Sequence, residues 1–132
     1  MIVREFKDAD YSRIVQLHSQ SGLDYRLPPL SSEVFFSRRV AGDNQSIGMA
    51  AFLKLTAEAY LVCDPSWRSP AWRLEGIRQL CRVCNDDARK AGVKEVEAFI
   101  PPQVEQKFGK RLAQLGWVRA RDGWHSYSWG VK

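Results

Sequence analysis

Apolar and polar positions near the start of the chain follow first a two-residue period and then a helical one. Residues 1–6 alternate between apolar and polar side chains, which predicts a first strand. In residues 11–18 the apolar side chains recur at three- and four-residue steps, which predicts a helix. Asp8 or Asp10 is suited to cap the start of that helix, and Gly22 is suited to end it. The chain therefore begins with a strand and an amphipathic helix.

The next part of the chain carries signals for a helix, a turn and two strands. We expect a short helix over residues 32–41, capped by a serine at its start. Residues 42–44 are typical of a turn. Residues 45–55 and 57–63 are two apolar runs joined by a short connection. They predict an antiparallel pair, the third and fourth strands of the fold.

The longest helical pattern covers residues 70–91. Its apolar side chains recur at three- and four-residue steps, Pro70 suits the first helical position, and Gly92 suits the cap at the carboxyl end. Residues 93–100 alternate and predict a fifth strand. Because a crossover helix joins the fourth and fifth strands, they should be parallel neighbours.

The remainder of the chain predicts one more helix and a closing hairpin. Helical spacing of apolar residues favours a helix over residues 104–115, which Gly116 ends. Residues 117–121 and 124–131 are predicted strands around a turn at Asp122–Gly123. The full order is β-α-α-β-β-β-α-β-α-β-β. We therefore predict an α/β (α+β) chain with a mixed sheet, folded as one domain over all 132 residues.

Charge and composition narrow the classes of partner. The formal net charge of +5 suits a polyanionic partner, either a phosphorylated cofactor or nucleic acid. No apolar run approaches the roughly 18 residues that a membrane span needs, and the first residues lack an apolar signal segment. We therefore expect a soluble, cytoplasmic protein that does not bind a membrane.

The three cysteines do not predict a disulfide framework or a metal site. Cys63, Cys81 and Cys84 are an odd set, and in a reducing compartment they are expected to be small buried hydrophobes. A structural zinc site needs four ligands, and His18 and His125 are far from these cysteines in sequence. We predict packing of Cys81 and Cys84 in the core, and no metal.

Two stretches of the sequence resemble signatures of the GNAT N-acyltransferase superfamily, and the similarity covers nearly the whole chain. "CDPSWR", which begins at Cys63, is similar to a strand end Val-x-Pro-x-x-Arg, and "LGWVRARDGWHSYSW" is similar to the family's Leu-Gly-Phe ending and last hairpin. The family has a mostly antiparallel sheet in which the fourth and fifth strands are parallel and splayed. Three positions depart from its pattern. Ala71 and Arg73 stand where the loop has small residues, and Leu112 stands where many members have a tyrosine general acid.

The resemblance implies acetyl-CoA as the cofactor and an amine as the acceptor, with direct attack of the amine in a ternary complex. It places the pantetheine arm along the backbone of the fourth strand and the diphosphate at the turn before the long helix. Arginine side chains would replace some backbone contacts at that turn, because guanidinium groups bind phosphate oxygens in pairs. The cofactor-binding residues implied are Leu61, Val62, Cys63, Arg68, Ser69, Ala71, Trp72 and Arg73.

The resemblance also implies positions for the catalytic and acceptor groups. Glu58, early on the fourth strand, is the candidate general base, and a solvated acid at a strand end is the alternative. His125 and Tyr127 on the closing hairpin are candidates for proton transfer, and structural aromatic residues are the alternative. Tyr25 and Arg26 lie in the segment that borders the acceptor in the family.

Three functions fit the sequence. The first is an acetyl-CoA-dependent N-acetyltransferase, a monomer or homodimer, whose acceptor is a small-molecule or protein amine. The second is a non-catalytic GNAT-fold module that binds a partner or belongs to an assembly, as in phage-encoded chains with altered loops. The third is an acetyltransferase acting on an amine of nucleic acid, favoured by the positive charge and the many aromatic residues.

Overall fold

A computed structural model describes residues 1–131 of the protein. Its strands are β1 (Ile2–Glu5), β2 (Phe35–Gly42), β3 (Ile47–Lys54), β4 (Ala57–Glu58) and β5 (Val96–Glu97), and its helices are a 3-10 turn (Asp8–Asp10), α1 (Tyr11–Ser21), α2 (Pro70–Lys90) and α3 (Pro102–Gln114). The predicted mixed α/β class is confirmed, although the strands form two separate sheets instead of one. Within residues 1–131, no helix has both the length and the apolar composition needed to cross a bilayer.

Strands β1, β2 and β3 form an antiparallel sheet with β2 in the middle. Val40 of β2 faces Arg4 on one side and Ala50 on the other. The helix predicted for residues 32–41 is therefore wrong. The pairing of this segment with two neighbours satisfies its backbone groups along both edges, which outweighs a weak local preference for helix. Aromatic and β-branched residues such as Phe35 and Val40 also suit a strand.

The core lies where α1 and the segment before β2 cover this sheet. Ile14, Leu30, Phe35 and Val40 are its buried side chains. Leu30 and Val40 are each 2% exposed. The half-buried residues packed against them are Phe6, Leu27, Val34, Ile47 and Phe52. One face of the sheet therefore carries the buried apolar side chains of the protein.

The turn between β2 and β3 is held by the carboxylate of Asp43. Its Oδ1 accepts hydrogen bonds from the amides of Gln45 and Ser46, each at 2.8 Å. These two amides lower the pKa of Asp43. Gly42 lies so close to the returning chain that a Cβ there would be 2.1 Å from the Ser46 carbonyl oxygen. The predicted turn is confirmed, and it requires glycine at this position.

An ion pair ties β1 to the start of α1. The Arg4 guanidinium donates to both carboxylate oxygens of Asp10, at 2.7 and 2.8 Å, and the Lys7 amide donates to the same group at 2.8 Å. These contacts lower the pKa of Asp10 from 3.8 to about 2, with the Arg4 hydrogen bonds as the largest cause. Asp10 precedes α1 but makes no side-chain cap to it. Gly22, with φ of +68°, ends α1 as predicted.

Strands β4 and β5 form a short parallel pair, which confirms that prediction. Ala57 faces Val96 and Glu58 faces Glu97, and the last bond of the pair runs from the Ala59 amide to the Glu97 carbonyl. The predicted antiparallel pairing of the third and fourth strands is wrong. The chain leaves β3 after the Leu55 amide, which donates to the Val34 carbonyl, and the amides of Ala57 and Ala59 donate to the carbonyls of Glu95 and Glu97 at β5.

Helix α2 has the predicted limits to within one residue and α3 begins two residues earlier than predicted, but neither has the predicted burial. Gly92 and Gly116, with φ of +74° and +91°, follow their carboxyl ends. No residue of either helix is buried. Cys81 is half-buried, and Cys63 and Cys84 are exposed, so the predicted burial of the three cysteines is wrong. The reason is that the buried cluster lies on the three-stranded sheet under α1, away from α2.

The predicted closing hairpin is wrong, although its turn is present. Residues 117–131 contain no strand, while Asp122–Gly123 form a turn in which Gly123 has φ of +71°. An isolated two-stranded hairpin gains too little from its own pairing to be stable in water. The ring of Trp124 packs on Tyr25 instead of on a partner strand.

Candidate functional site

The approach to α2 is shaped by a turn around Asp64. Its Oδ1 accepts hydrogen bonds from the Ser66 amide at 2.8 Å and from the Ser66 hydroxyl at 2.7 Å. The Trp67 amide donates to the Asp64 carbonyl at 3.1 Å. Aspartate followed by proline and serine is typical of such a turn, because the carboxylate bonds to the backbone two residues on. The two bonds from Ser66 lower the pKa of Asp64, so its carboxylate is ionised at neutral pH.

The first turn of α2 has one free amide. Ser69 caps the helix, since its hydroxyl oxygen accepts from the Trp72 amide at 3.2 Å and its carbonyl accepts from the Arg73 amide at 3.1 Å. Pro70 at the first helical position has no N–H. Within residues 1–131, the Ala71 amide is therefore the one donor of this turn that has no acceptor.

Arg73 holds the turn in an unusual backbone conformation. Arg68 has φ of +57°, and it is the one non-glycine residue with a positive φ within residues 1–131. The Nη1 atom of Arg73 donates to the carbonyl oxygens of Trp67 at 3.1 Å and Arg68 at 2.7 Å. These bonds stabilise a bend for which glycine would be favoured. The Nε and Nη2 donors of Arg73 make no hydrogen bond within residues 1–131, so they remain available to a ligand.

Two indole rings and a second guanidinium lie beside this turn. The rings of Trp67 and Trp72 are in an edge-to-face contact, with centroids 5.7 Å apart. The Arg68 guanidinium carbon lies 5.8 Å from the Trp72 ring centroid, within the range of a cation–π contact. Trp72 is 59% exposed and lies outside the cavity that the turn borders. The Trp72 ring therefore does not block that cavity.

A cavity of about 180 Å³ lies between the segment after β4 and the first turns of α2. Its lining residues are Leu61, Val62, Cys63, Asp64, Trp67, Arg73, Gly76, Ile77 and Leu80. Most of this lining is apolar, and Arg73 and Asp64 are its charged members. Residues 60–63 have no strand pairing, so the main chain beside the cavity is free to bond to a ligand.

Glu58 was predicted as a site residue, but its neighbour Tyr60 was not. Glu58 is exposed on β4, and its carboxylate raises the pKa of the Tyr60 phenol, first by accepting its hydrogen bond and second through its negative charge. The signal that was available is the two-residue spacing, which puts both side chains on the same side of an extended chain. Asp64 was also missed as a cavity residue, although its Asp-Pro-Ser sequence indicates a turn.

The predicted acceptor residue Tyr25 lies in a second cluster. Its ring is in edge contact with His18, at 4.7 Å between centroids, and with Trp124, at 6.0 Å. The Arg121 guanidinium lies 5.3 Å from the Tyr25 ring centroid and 5.0 Å from that of Trp124. The structure thus joins the segment after α1 to the carboxyl-terminal segment. Arg121 and Trp124 were not predicted, because cation–π contacts between distant segments leave no local sequence pattern.

The predicted residues therefore divide into three groups. Those at the cavity and the turn come together, namely Leu61, Val62, Cys63, Arg68, Ser69, Ala71, Trp72 and Arg73. Tyr25 is in the aromatic cluster. Arg26, His125 and Tyr127 are exposed, and within residues 1–131 no hydrogen bond or ion pair links His125 or Tyr127 to Glu58. The three catalytic candidates do not form one constellation.

Comparisons with known proteins do not add a relative. No family model, no curated protein and no solved structure matches the chain. Among residues 1–131, no three His, Cys, Asp or Glu side chains are grouped so that they could hold a metal ion. The turn before α2, the cavity and the aromatic cluster are therefore the features of the structure that bear on its function.

Proposed function

We propose that the protein is an N-acyltransferase that moves an acetyl group from acetyl-CoA to an amine. The observation that carries the proposal is the parallel β4–β5 pair, which ends at Ala59 beside an apolar cavity. A parallel pair that opens in this way, followed by a turn and a long helix, fits the GNAT-like fold expected from the sequence. The unpaired main chain at residues 60–63 would bond to the pantetheine amides, and the apolar lining would contact the methylene groups of that arm.

The turn before α2 supports binding of the cofactor's diphosphate. The free donors of Arg73, the exposed guanidinium of Arg68 and the unpaired amide of Ala71 lie within six residues. Guanidinium groups and helix-start amides both stabilise phosphate oxygens. Asp64 opposes this binding, since its ionised carboxylate lines the same cavity. Two guanidinium groups and one amide, opposed by one carboxylate, leave a net attraction for a diphosphate.

The chemistry would be a direct attack of the amine nitrogen on the thioester carbonyl carbon. The new C–N bond forms, the C–S bond breaks, and the electron pair of that bond leaves with the sulfur of coenzyme A. Glu58 is the group proposed to take the proton that the amine loses, directly or through the Tyr60 phenol beside it. Leu112 has no proton to give the leaving thiolate, so water supplies it.

Turnover is the test of this proposal. Purified protein is mixed with acetyl-CoA and a panel of primary amines, and release of the free coenzyme A thiol is followed with time. We expect amine-dependent release that Arg73→Met lowers about tenfold or more, because a charged hydrogen-bond donor to phosphate is lost. Arg78→Met is the matched control, since Arg78 lies on the same helix and pairs with Glu75. Equal loss in both variants, or no amine-dependent release, would contradict the proposal.

A second candidate is a non-catalytic module of the same fold. It is favoured by the occupied Nη1 of Arg73, by the Asp64 carboxylate in the cavity wall and by Leu112 at the position of the family's acid. Such a protein would bind neither acetyl-CoA nor coenzyme A. Calorimetric titration with both compounds distinguishes the two candidates.

A further inference from the structure

Arg121 contacts two aromatic rings and has no counterion among residues 1–131. Its guanidinium carbon lies 5.3 Å from the Tyr25 ring centroid and 5.0 Å from the Trp124 ring centroid. Within residues 1–131 it makes no ion pair and no hydrogen bond. Contact with the two rings restricts the guanidinium position, while its five N–H donors have no acceptor within residues 1–131.

A second arginine in the same segment does have carboxylate partners. Arg119, two positions earlier, pairs with Glu105 on α3 and with Asp122. Glu105 and Asp122 thus pair with Arg119 and not with Arg121. Within residues 1–131 the positive charge of Arg121 has no carboxylate partner.

The histidine on the other side of Tyr25 also has an unpaired polar atom. The His18 ring is in edge contact with Tyr25, and its Nε2 is buried without a hydrogen-bond partner. A buried polar atom without a partner is costly, so a ligand or a water at this place would stabilise it. A buried nitrogen without a partner and an exposed guanidinium without a carboxylate partner in residues 1–131 therefore lie on either side of the Tyr25 ring.

We propose that Arg121, Tyr25 and Trp124 form a binding site for the carboxylate of a small molecule. A guanidinium presents two parallel N–H groups that match the two oxygens of a carboxylate, and the adjacent rings would contact an apolar or aromatic body. As a subsite for the acceptor, this inference rests on the proposed acyl transfer. The acceptor would then be an amine that also carries a carboxylate.

Two probes of the same shape test the binding step without acetyl-CoA. Benzoate and benzamide are titrated into the full-length protein, with Trp fluorescence or calorimetry as the readout. We expect benzoate to bind about tenfold or more tightly than benzamide, because the charged hydrogen bonds are made only by the carboxylate. Arg121→Gln should abolish the difference, and Arg121→Lys should keep only part of it, because lysine lacks the planar pair of donors.

Arg119→Gln is the matched control and should leave the preference unchanged. Equal affinity for benzoate and benzamide in the wild type would overturn the site, and so would equal loss in the Arg119 and Arg121 variants. Circular dichroism of each variant is the check on folding; Arg121 is exposed in a segment without regular structure, so its replacement should not disturb the fold.

The link to acyl transfer is tested separately, with 4-(aminomethyl)benzoate and benzylamine as acceptors. A preference for the carboxylated amine that Arg121→Gln removes would support the acceptor assignment. Turnover without that preference would overturn the assignment while leaving the proposed function intact. Benzoate binding without any turnover would leave the site intact and reject the proposed function.

Discussion

The Arg4–Asp10 ion pair gives the most quantitative prediction, and Asp10→Asn is the change that tests it. Asparagine keeps the size of the side chain and one acceptor for the Lys7 amide, but it loses the charge that pairs with Arg4. The Asp10 side chain is 9% exposed and that of Arg4 is 39% exposed. The variant would therefore leave a partly covered guanidinium without its counterion.

The expected loss of folding stability follows from the pKa of Asp10, which falls from 3.8 to about 2 in the folded protein. One pKa unit corresponds to about 1.4 kcal/mol, so this depression corresponds to at most about 2.4 kcal/mol of stability. Water screens the pair through the exposed part of Arg4, and we therefore expect about 1–2 kcal/mol. For a chain of this length that is a loss of roughly 4–8 °C in Tm.

The stabilisation by the Arg4–Asp10 pair should decrease as the pH falls. Because the folded pKa of Asp10 is depressed, the pair stabilises the protein fully above the ordinary pKa of 3.8, and the contribution is lost as the pH falls toward about 2. Urea unfolding of wild type and Asp10→Asn, followed by circular dichroism, should differ by a constant amount from about pH 5 to pH 8. The difference should shrink below about pH 4 and be mostly lost near pH 2.

Asp8→Asn is the control for Asp10→Asn. Asp8 lies in the same 3-10 turn, is exposed, and makes no side-chain hydrogen bond within residues 1–131. We expect its replacement to change the free energy of unfolding by less than about 0.5 kcal/mol. The reasoning is refuted if Asp10→Asn costs no more than the control, or if its cost is the same near pH 2 as at neutral pH.

Three further predictions concern single residues. Gly42→Ala should destabilise the protein by about 2 kcal/mol or more in urea unfolding, because its Cβ would meet the Ser46 carbonyl at 2.1 Å. Gly48→Ala is the control and should cost under about 1 kcal/mol, because there is open space around Gly48. Arg68→Gly should be more stable than Arg68→Ala by about 1 kcal/mol in thermal unfolding, since only glycine adopts a φ of +57° without strain; equal stability would contradict the assigned backbone. Asp64→Asn keeps an acceptor for the turn and removes a negative charge from the cavity. Calorimetry should therefore show that acetyl-CoA binds a few-fold more tightly to this variant. Weaker binding would argue against the proposed site.

Features set by nearby residues could be predicted from the sequence. The three helices end at Gly22, Gly92 and Gly116, and each of these glycines has the positive φ that helix ends favour. The start of α2 at Pro70 follows from the same local chemistry. The parallel β4–β5 pair was predictable because a crossover of this length leaves few alternatives.

Features set by distant residues could not be predicted. Phe35 and Val40 are in a strand because β1 and β3 lie on either side of them, and local preference does not carry that information. Residues 117–131 alternate like strands, yet they lack a sheet to join. The contact of Arg121 with Tyr25 joins residues almost a hundred positions apart, and the hydrogen bonds of Arg73 depend on a rotamer that the sequence does not specify.

Binding of acetyl-CoA to the turn before α2 is the central claim, and calorimetric titration tests it most directly. We predict saturable heat when acetyl-CoA is titrated into the wild-type protein. Arg73→Met should raise the dissociation constant about tenfold or more, and Arg78→Met should leave it unchanged. Absence of heat at about millimolar acetyl-CoA, or equal weakening by the two substitutions, would contradict it.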